Sequence, residues 1–158
     1  MVYNALAGIA VGYALGMTDE QIKAGIEALV PLAGRNNLIE TGKFTVIDDC
    51  YNANPVSMKS SIDVLEKADT RTVAVLGDMF ELGDNEKAMH FDVGVHAAKS
   101  GVDVLICIGA LSEEMAKGAR ETNAEMEIHH YADKDTFLAQ EQMLYDLIGN
   151  SDGRDEVV

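Results

Sequence analysis

The sequence predicts an α/β protein, a mostly parallel sheet with helices on both faces, preceded by a helical hairpin. Three observations predict it. From residue 43 onward, short β-rich runs alternate with helical stripes in the order βαβαβαβα, which implies parallel strands joined by right-handed crossovers. Two of those runs, Thr72–Leu76 and Val104–Ile108, are almost wholly apolar, as expected of strands covered on both faces. Ahead of them, residues 2–30 carry helical signals only.

The first helix spans residues 2–16, and its apolar positions (Ala5, Leu6, Ile9, Val11, Leu15 among them) cover most of the circumference. Such a helix is expected to be buried. Gly16 is its stop. Thr18-Asp19-Glu20-Gln21 has the spacing of a capping box, so a second helix starts there and runs through Ile22, Ile26 and Leu29 to Pro31. Because this hydrophobic hairpin begins with no lead-in and no cap, residues 1–33 are expected to be the tail of a larger domain.

Gly34-Arg35 opens a different regime. Asn37–Glu40 and Phe44–Ile47 read as short strands around a turn at Thr41-Gly42-Lys43. Asn54 stands as N-cap and Pro55 as first residue of a helix over 55–68, with Val56, Met58, Ile62 and Leu65 as its stripe. After the strand at 72–76 comes a turn-rich loop, Gly77 to Asp84, then a helix over 86–100 closed by Gly101. The strand at 104–108 exits through Gly109 to a helix over 111–121. A weaker strand, Ile128–Tyr131, precedes a last amphipathic helix over 134–148, with Phe137, Leu138, Met143 and Leu144 inward. Residues 151–158 are expected to form a frayed tail.

Composition narrows the function. A net charge of -15 repels phosphate backbones and argues against nucleic-acid binding, though not against a single nucleotide held by local N–H groups and an arginine. Cys50 and Cys107 read as reduced thiols of a cytoplasmic protein, since no disulfide framework or CxxC knuckle is present. No apolar run approaches the ~20 residues of a membrane span. The sequence has no GxxxxGK[ST] P-loop, no GxGxxG after the first strand and no GxSxG elbow. The four histidines lack HExxH spacing, and no metal site is expected. A phosphoacceptor receiver domain is set aside because the strand at 104–108 ends without a carboxylate.

The most polar strand-to-helix junction is Asp48-Asp49-Cys50-Tyr51-Asn52-Ala53-Asn54-Pro55. Ligands of open α/β sheets bind where strands end and helices begin. A carboxylate there can accept from ribose hydroxyls or help hold a metal, or simply cap the next helix. Asn52 and Asn54 can bind a ligand or cap. Arg35 can clamp a phosphate or form a surface ion pair. The loop from Gly77 to Asp84 lies on the same edge of the sheet.

Read together, Asn4-Ala5-Leu6-Ala7, Gly34-Arg35, the run Asp48 to Met58, and Leu76-Gly77-Asp78-Met79-Phe80-Glu81-Leu82-Gly83 followed by His90 resemble the Mur ligases. The motifs cover most of residues 2–110. The resemblance implies that residues 1–33 are the helical tail of a central ATPase domain and 34–150 a C-terminal Rossmann-like domain. Within the family the motifs match the members that add D-alanyl-D-alanine to UDP-N-acetylmuramoyl-tripeptide through an acyl phosphate, a step of peptidoglycan synthesis on which cell shape and division depend. It implies ATP and Mg²⁺ as cofactors, both held mainly by the central domain that the chain lacks, with the missing N-terminal and central domains as partners. By position Asn4, Arg35 and Asp49 are implied in nucleotide binding, and Asn52, Asn54, Asp78 and Glu81 in the substrate cleft. Met1 stands where the family has an Asn, and a His before it is gone. The family's closing strand with its basic run is missing or altered at Asp146 to Val158. No catalytic set is complete, so the isolated chain is expected to be inactive. A stand-alone nucleotide- or partner-binding module is the alternative.

Overall fold

A computed structural model describes residues 2–30, 33–140 and 156–157. The chain forms two compact units, residues 1–32 and 33–158.

The first unit is a helical hairpin of α1 (Val2–Ala14) and α2 (Asp19–Glu27). The main-chain N–H of Met17 reaches the Gly12 carbonyl and that of Gly16 the Tyr13 carbonyl, the paired bonds of a glycine-terminated helix. At the next helix the expected capping box forms. Thr18 Oγ1 accepts from Gln21 N–H at 3.3 Å, and Gln21 Oε1 accepts from Thr18 N–H at 3.0 Å. Tyr13 donates its hydroxyl to Asp19, and Ile22 is buried between the helices. The burial expected of α1 is not found, since Leu6, Val11, Tyr13 and Leu15 are all more than half exposed. One short partner helix can cover only one stripe of so apolar a cylinder.

In the second unit the strands are β1 (Asn37–Glu40), β2 (Phe44–Asp48), β3 (Arg71–Gly77), β4 (Val104–Ile108), β5 (Glu127–Tyr131) and β6 (Glu156–Val157). The helices are α3 (Pro55–Leu65), α4 (Glu86–Lys99), α5 (Glu113–Thr122) and α6 (Lys134–Leu138), with a 3₁₀ turn at Gly83–Asn85. The sheet order is β1-β2-β6-β3-β4-β5. Only β1 is antiparallel to its neighbour, as a hairpin with β2. The short β6 contradicts fraying for Glu156 and Val157, which pair with Phe44–Thr45 on one side and Arg71–Thr72 on the other. Two flanking ladders satisfy main-chain groups that a free tail would leave to water. The expected inward Met143 and Leu144 lie outside the described residues.

Three helices cover one face of the sheet. Met58, Ile62 and Leu65 of α3, Val93 and Ala97 of α4, and Met115, Ala116 and Ala119 of α5 pack on Ala74, Leu105 and Cys107. On the opposite face, Phe137 of α6 meets Tyr131 edge-on at 5.4 Å over Val73, Val104 and Ile106. Helices α4 and α5 touch backbone to backbone. A Cβ on Gly94 would lie 1.9 Å from the Met115 carbonyl oxygen, and one on Gly118 would lie 2.3 Å from that of Phe91. Among the strands whose burial is described, β4 alone is buried on both faces along most of its length; β3 leaves Val75 39% exposed.

Candidate functional site: the polar edge of the sheet

Strands β2, β3 and β4 all end at one edge, and their exit loops are stitched together there. The first stitch joins the turn before β1 to the loop after β2. Asp48 Oδ2 accepts the Gly34 N–H at 3.1 Å, Asp49 Oδ1 accepts the Asn36 N–H at 3.0 Å, and Tyr51 donates its N–H to the Gly34 carbonyl at 2.9 Å. Gly34 is required twice over. Its φ is +72°, and a Cβ would sit 3.0 Å from the Tyr51 nitrogen.

Between those bonds, Arg35 lays its guanidinium over the Tyr51 ring, 4.3 Å from the centroid. Among the described residues it forms no ion pair. Stacking fixes the side chain while leaving its planar donors open to an anion.

The two carboxylates differ in their second partners. Asp48 also takes the Cys50 thiol at 3.0 Å, and this bond is the main reason its pKa lies below the ordinary value, with main-chain N–H groups of Cys50 and Gly34 adding to it and burial opposing it. The same bond is the first cause of a raised Cys50 pKa, before burial and the charge of Asp48. Asp49 Oδ2 accepts from the Ser61 hydroxyl of α3 at 2.6 Å. A carboxylate has about four acceptor positions, so Asp49 keeps room for a further hydroxyl donor.

The amides are more occupied. Asn54 Oδ1 accepts from both Val56 N–H and Ser57 N–H as the N-cap of α3, and Ser57 closes a capping box. Asn52 Oδ1 accepts from Ala53 N–H and the residue is exposed.

A second stitch joins β3 to β4. Asp78 Oδ1 accepts the Ser112 N–H at 2.7 Å, and the Ser112 hydroxyl donates to the Gly109 carbonyl at 2.8 Å. His130 Nε2 donates to that same carbonyl at 2.9 Å. Behind the loop after β3, fully buried His90 accepts the Met79 N–H on Nε2 at 2.9 Å, while Nδ1 lies 2.7 Å from the Glu86 carbonyl. A main-chain N–H can only donate and a carbonyl only accept, so the ring carries its proton on Nδ1. This pins the start of a loop that then turns outward through Phe80, 71% exposed, and Glu81, whose φ is +61°.

Asp48, Asp49, Asn52 and Asp78 line one cavity of about 610 Å³, together with Ser57 and Ser61. Asn54 and Glu81 are not among its lining, and Asn4 lies exposed on α1 in the other unit. Sequence reasoning did not single out Ser61, and it used Tyr51 and His90 as parts of the family motifs without giving either a role. Ser57 and Ser61 stand four apart on α3, a spacing that puts both on the face toward Asp49; nothing near His90 marks it as a loop anchor. Among the described residues no group of three or more His, Cys, Asp or Glu side chains is placed to hold a metal, and no helix is long and apolar enough to cross a membrane.

Comparison with known proteins bears directly on this edge. The chain is 34% identical over 140 residues to the UDP-N-acetylmuramoyl-tripeptide–D-alanyl-D-alanine ligase of Bacillus subtilis, covering 87% of the chain and 31% of that protein. It is 34% identical over 146 residues to the enzyme of the same name from Escherichia coli, covering 90% and 30%. In three dimensions it resembles a MurF crystal structure from Acinetobacter baumannii, with a TM-score of 0.83 at 30% identity over 98% of the chain and 33% of that structure. A Thermotoga maritima MurF ligase solved with ADP gives 0.72 at 25% identity, covering 94% and 31%. The chain thus spans about a third of the length of the relatives it matches. Residues 34–146, which include every stitch of the polar edge, match the family described as Mur ligase, glutamate ligase domain, and the chain belongs to the Mur ligases.

Proposed function

We propose that this chain is the C-terminal part of an ATP-dependent ligase that adds D-alanyl-D-alanine to UDP-N-acetylmuramoyl-tripeptide during cytoplasmic peptidoglycan precursor synthesis. One observation carries the reading: relatives of that name share 34% identity with it over 87% to 90% of its length. In this reading residues 1–33 are the end of the central ATPase domain, 34–150 the C-terminal domain and 151–158 its tail.

The reaction activates the tripeptide carboxylate as an acyl phosphate at the expense of ATP. The amine of D-alanyl-D-alanine then attacks, and phosphate leaves. This domain contributes orientation rather than bond-making groups. Arg35, stacked on Tyr51 with its donors open, reaches a phosphate of the nucleotide. Asp49, with acceptor capacity left after Asn36 and Ser61, takes a ribose hydroxyl. Asn4 lies by the adenine. Asn52, Asp78 and Glu81 line the amine's approach, and Asn54, whose carbonyl oxygen is committed to the helix cap, can offer only its NH₂. Among the described residues no group of three or more His, Cys, Asp or Glu side chains could hold Mg²⁺; in this reading the central domain would hold the ion, where it would offset phosphate charge. The sequence carries no P-loop, and the chain alone is inactive in this reading.

A chimera tests it. Residues 1–158 replace the matching third of the Bacillus subtilis ligase, and phosphate release is followed with ATP, the UDP-linked tripeptide and D-alanyl-D-alanine. Turnover that depends on all three, and falls about 100-fold in Arg35→Ala, is expected from the loss of a charged phosphate contact. A folded chimera with no turnover, or one unaffected by Arg35→Ala, counts against the assignment, as does turnover by residues 1–158 alone.

A further inference from the structure

Arg35 stands between two carboxylates that it does not pair with. Asp48 accepts the N–H of Gly34 and Asp49 the N–H of Asn36, so a carboxylate is tied to the residue on each side of Arg35. Both are thus anchored within the span of its long, flexible side chain. Yet among the described residues Arg35 forms no ion pair, and its guanidinium lies over the Tyr51 ring, 4.3 Å from the centroid.

Two features keep the ion pair from closing. Each carboxylate oxygen already holds a donor: the Gly34 N–H and the Cys50 thiol on Asp48, the Asn36 N–H and the Ser61 hydroxyl on Asp49. These donors are neutral, so they soften the two charges without cancelling them. The ring supplies the rest. A guanidinium stacked on an aromatic face uses its flat side, whereas an oxyanion takes it edge-on. The stack therefore fixes the plane and turns its N–H edge outward. The ring is itself placed by main chain. Tyr51 donates its N–H to the Gly34 carbonyl at 2.9 Å, and a Cβ on Gly34 would stand 3.3 Å from both Cα and Cβ of Tyr51. Tyr51 is 65% exposed, so burial does not account for an aromatic side chain here.

We propose that Tyr51 is a positioning residue: its ring holds Arg35 off Asp48 and Asp49 and presents the guanidinium edge to an oligophosphate. The proposal rests on the ligase reading, in which that ligand is the triphosphate of ATP. Without the ring, Arg35 swings onto Asp49. That collapse removes two groups at once, the phosphate clamp and the acceptor for a ribose hydroxyl. The face of the ring is what acts, so phenylalanine serves as well as tyrosine and leucine does not.

Two measurements test it. In the Bacillus subtilis chimera, Tyr51→Leu should raise the KM for ATP about fivefold, the scale of an exposed cation–π contact, and leave the KM for the UDP-linked tripeptide and for D-alanyl-D-alanine unchanged. Tyr51→Phe should match the parent. In an Arg35→Ala background Tyr51→Leu should change nothing further, because the ring then has nothing to hold. In residues 1–158 alone, NMR should show the Arg35 δ protons shifted upfield by the ring in wild type and Tyr51→Phe but not in Tyr51→Leu. Inorganic tripolyphosphate should move the Arg35 Nε–H signal of the first two at a concentration about fivefold lower than that of Tyr51→Leu. The proposal is overturned if Tyr51→Leu equals the wild type in both measurements, if its effect survives undiminished in Arg35→Ala, if Tyr51→Phe is as impaired as Tyr51→Leu, or if the KM values of all the substrates rise together. An inactive parent chimera counts against the ligase reading alone. The titration then decides on Tyr51, and a wild type whose Arg35 ignores tripolyphosphate overturns the proposal as well.

Discussion

Asp49 accepts the main-chain N–H of Asn36 at 3.0 Å and so holds a non-glycine residue at a φ of +53°. The bond reaches across thirteen residues, from the loop after β2 to the turn that carries Arg35. Replacing Asp49 by Ala should release that turn and leave the Ser61 hydroxyl only the Ser57 carbonyl, 3.1 Å away, at a cost of about 1–2 kcal/mol in urea unfolding. Asn36→Gly should be neutral to slightly stabilising, since glycine adopts this backbone without strain. Loss of stability in Asn36→Gly would show that the side chain, not the bond to Asp49, keeps the turn.

The Cys50 thiol is the chief reason that Asp48 is held below the usual carboxylate range. Stability from such a group is present above its unfolded pKa and is lost as pH falls through the lower folded value. In Cys50→Ala, the Asp48 carboxyl carbon should titrate at higher pH by NMR, and the acid-side loss of stability should become shallower. An unmoved Asp48 titration would put the depression on the main-chain donors instead.

Cys107 gives a signal at the alkaline end. Burial pushes its thiol from 9.0 up to about 12, more than the opposing pull of Arg120 can offset. The protonated thiol favours the fold below 9.0, and this contribution drains away as pH rises toward about 12. Wild-type stability should therefore fall more steeply than that of Cys107→Ala between those values. In the native state a thiol reagent should modify exposed Cys50 alone, with Cys107 reacting only after unfolding.

His90 is expected to be worth more than any other polar side chain among the described residues of the second unit. Truncation to Ala leaves a buried cavity, an unpaired Met79 N–H and a Glu86 carbonyl without its ring partner. The expected cost is about 2–4 kcal/mol. Amide exchange at Met79 and Phe80 should quicken well before global unfolding, which separates the loop anchor from a generic core residue.

Gly94 and Gly118 allow no side chain. Gly94→Ala must push α5 off the Met115 carbonyl, and Gly118→Ala must do the same to α4 at Phe91. Each should cost about 1–3 kcal/mol or more. Because the two sites key one helix pair, the double variant should cost less than the sum of the singles.

How much of this could be read from the sequence depends on how local each cause was. The runs at 72–76 and 104–108 announce strands because apolar content alone marks them, though only the second is covered on both faces, and Thr18 and Asn54 announce helix starts because a cap acts within three residues. The polar junction at Asp48–Asn54 was visible for the same reason. The partners of those residues were not. Ser61, Tyr51 and His90 act on groups that only the fold brings near. Strand β6 was hidden because two residues after a polar stretch carry no period, and its place comes from β2 and β3. The exposure of α1 was misjudged because an apolar circumference shows only that a helix wants cover.

The position of β6 also has a meaning for the order in which the protein is made. It is the last described strand to leave the ribosome, yet it sits between β2 and β3, in the middle of the sheet. At about 5–20 residues per second, synthesis exposes β2 and β3 for several seconds before β6 exists. The β3-β4-β5 layer can assemble with its helices in that interval, whereas the β1-β2 hairpin must wait for a strand that arrives more than a hundred residues later. The nascent chain is thus a half-sheet with a loose hairpin, and its open flank is a natural place for a chaperone to hold.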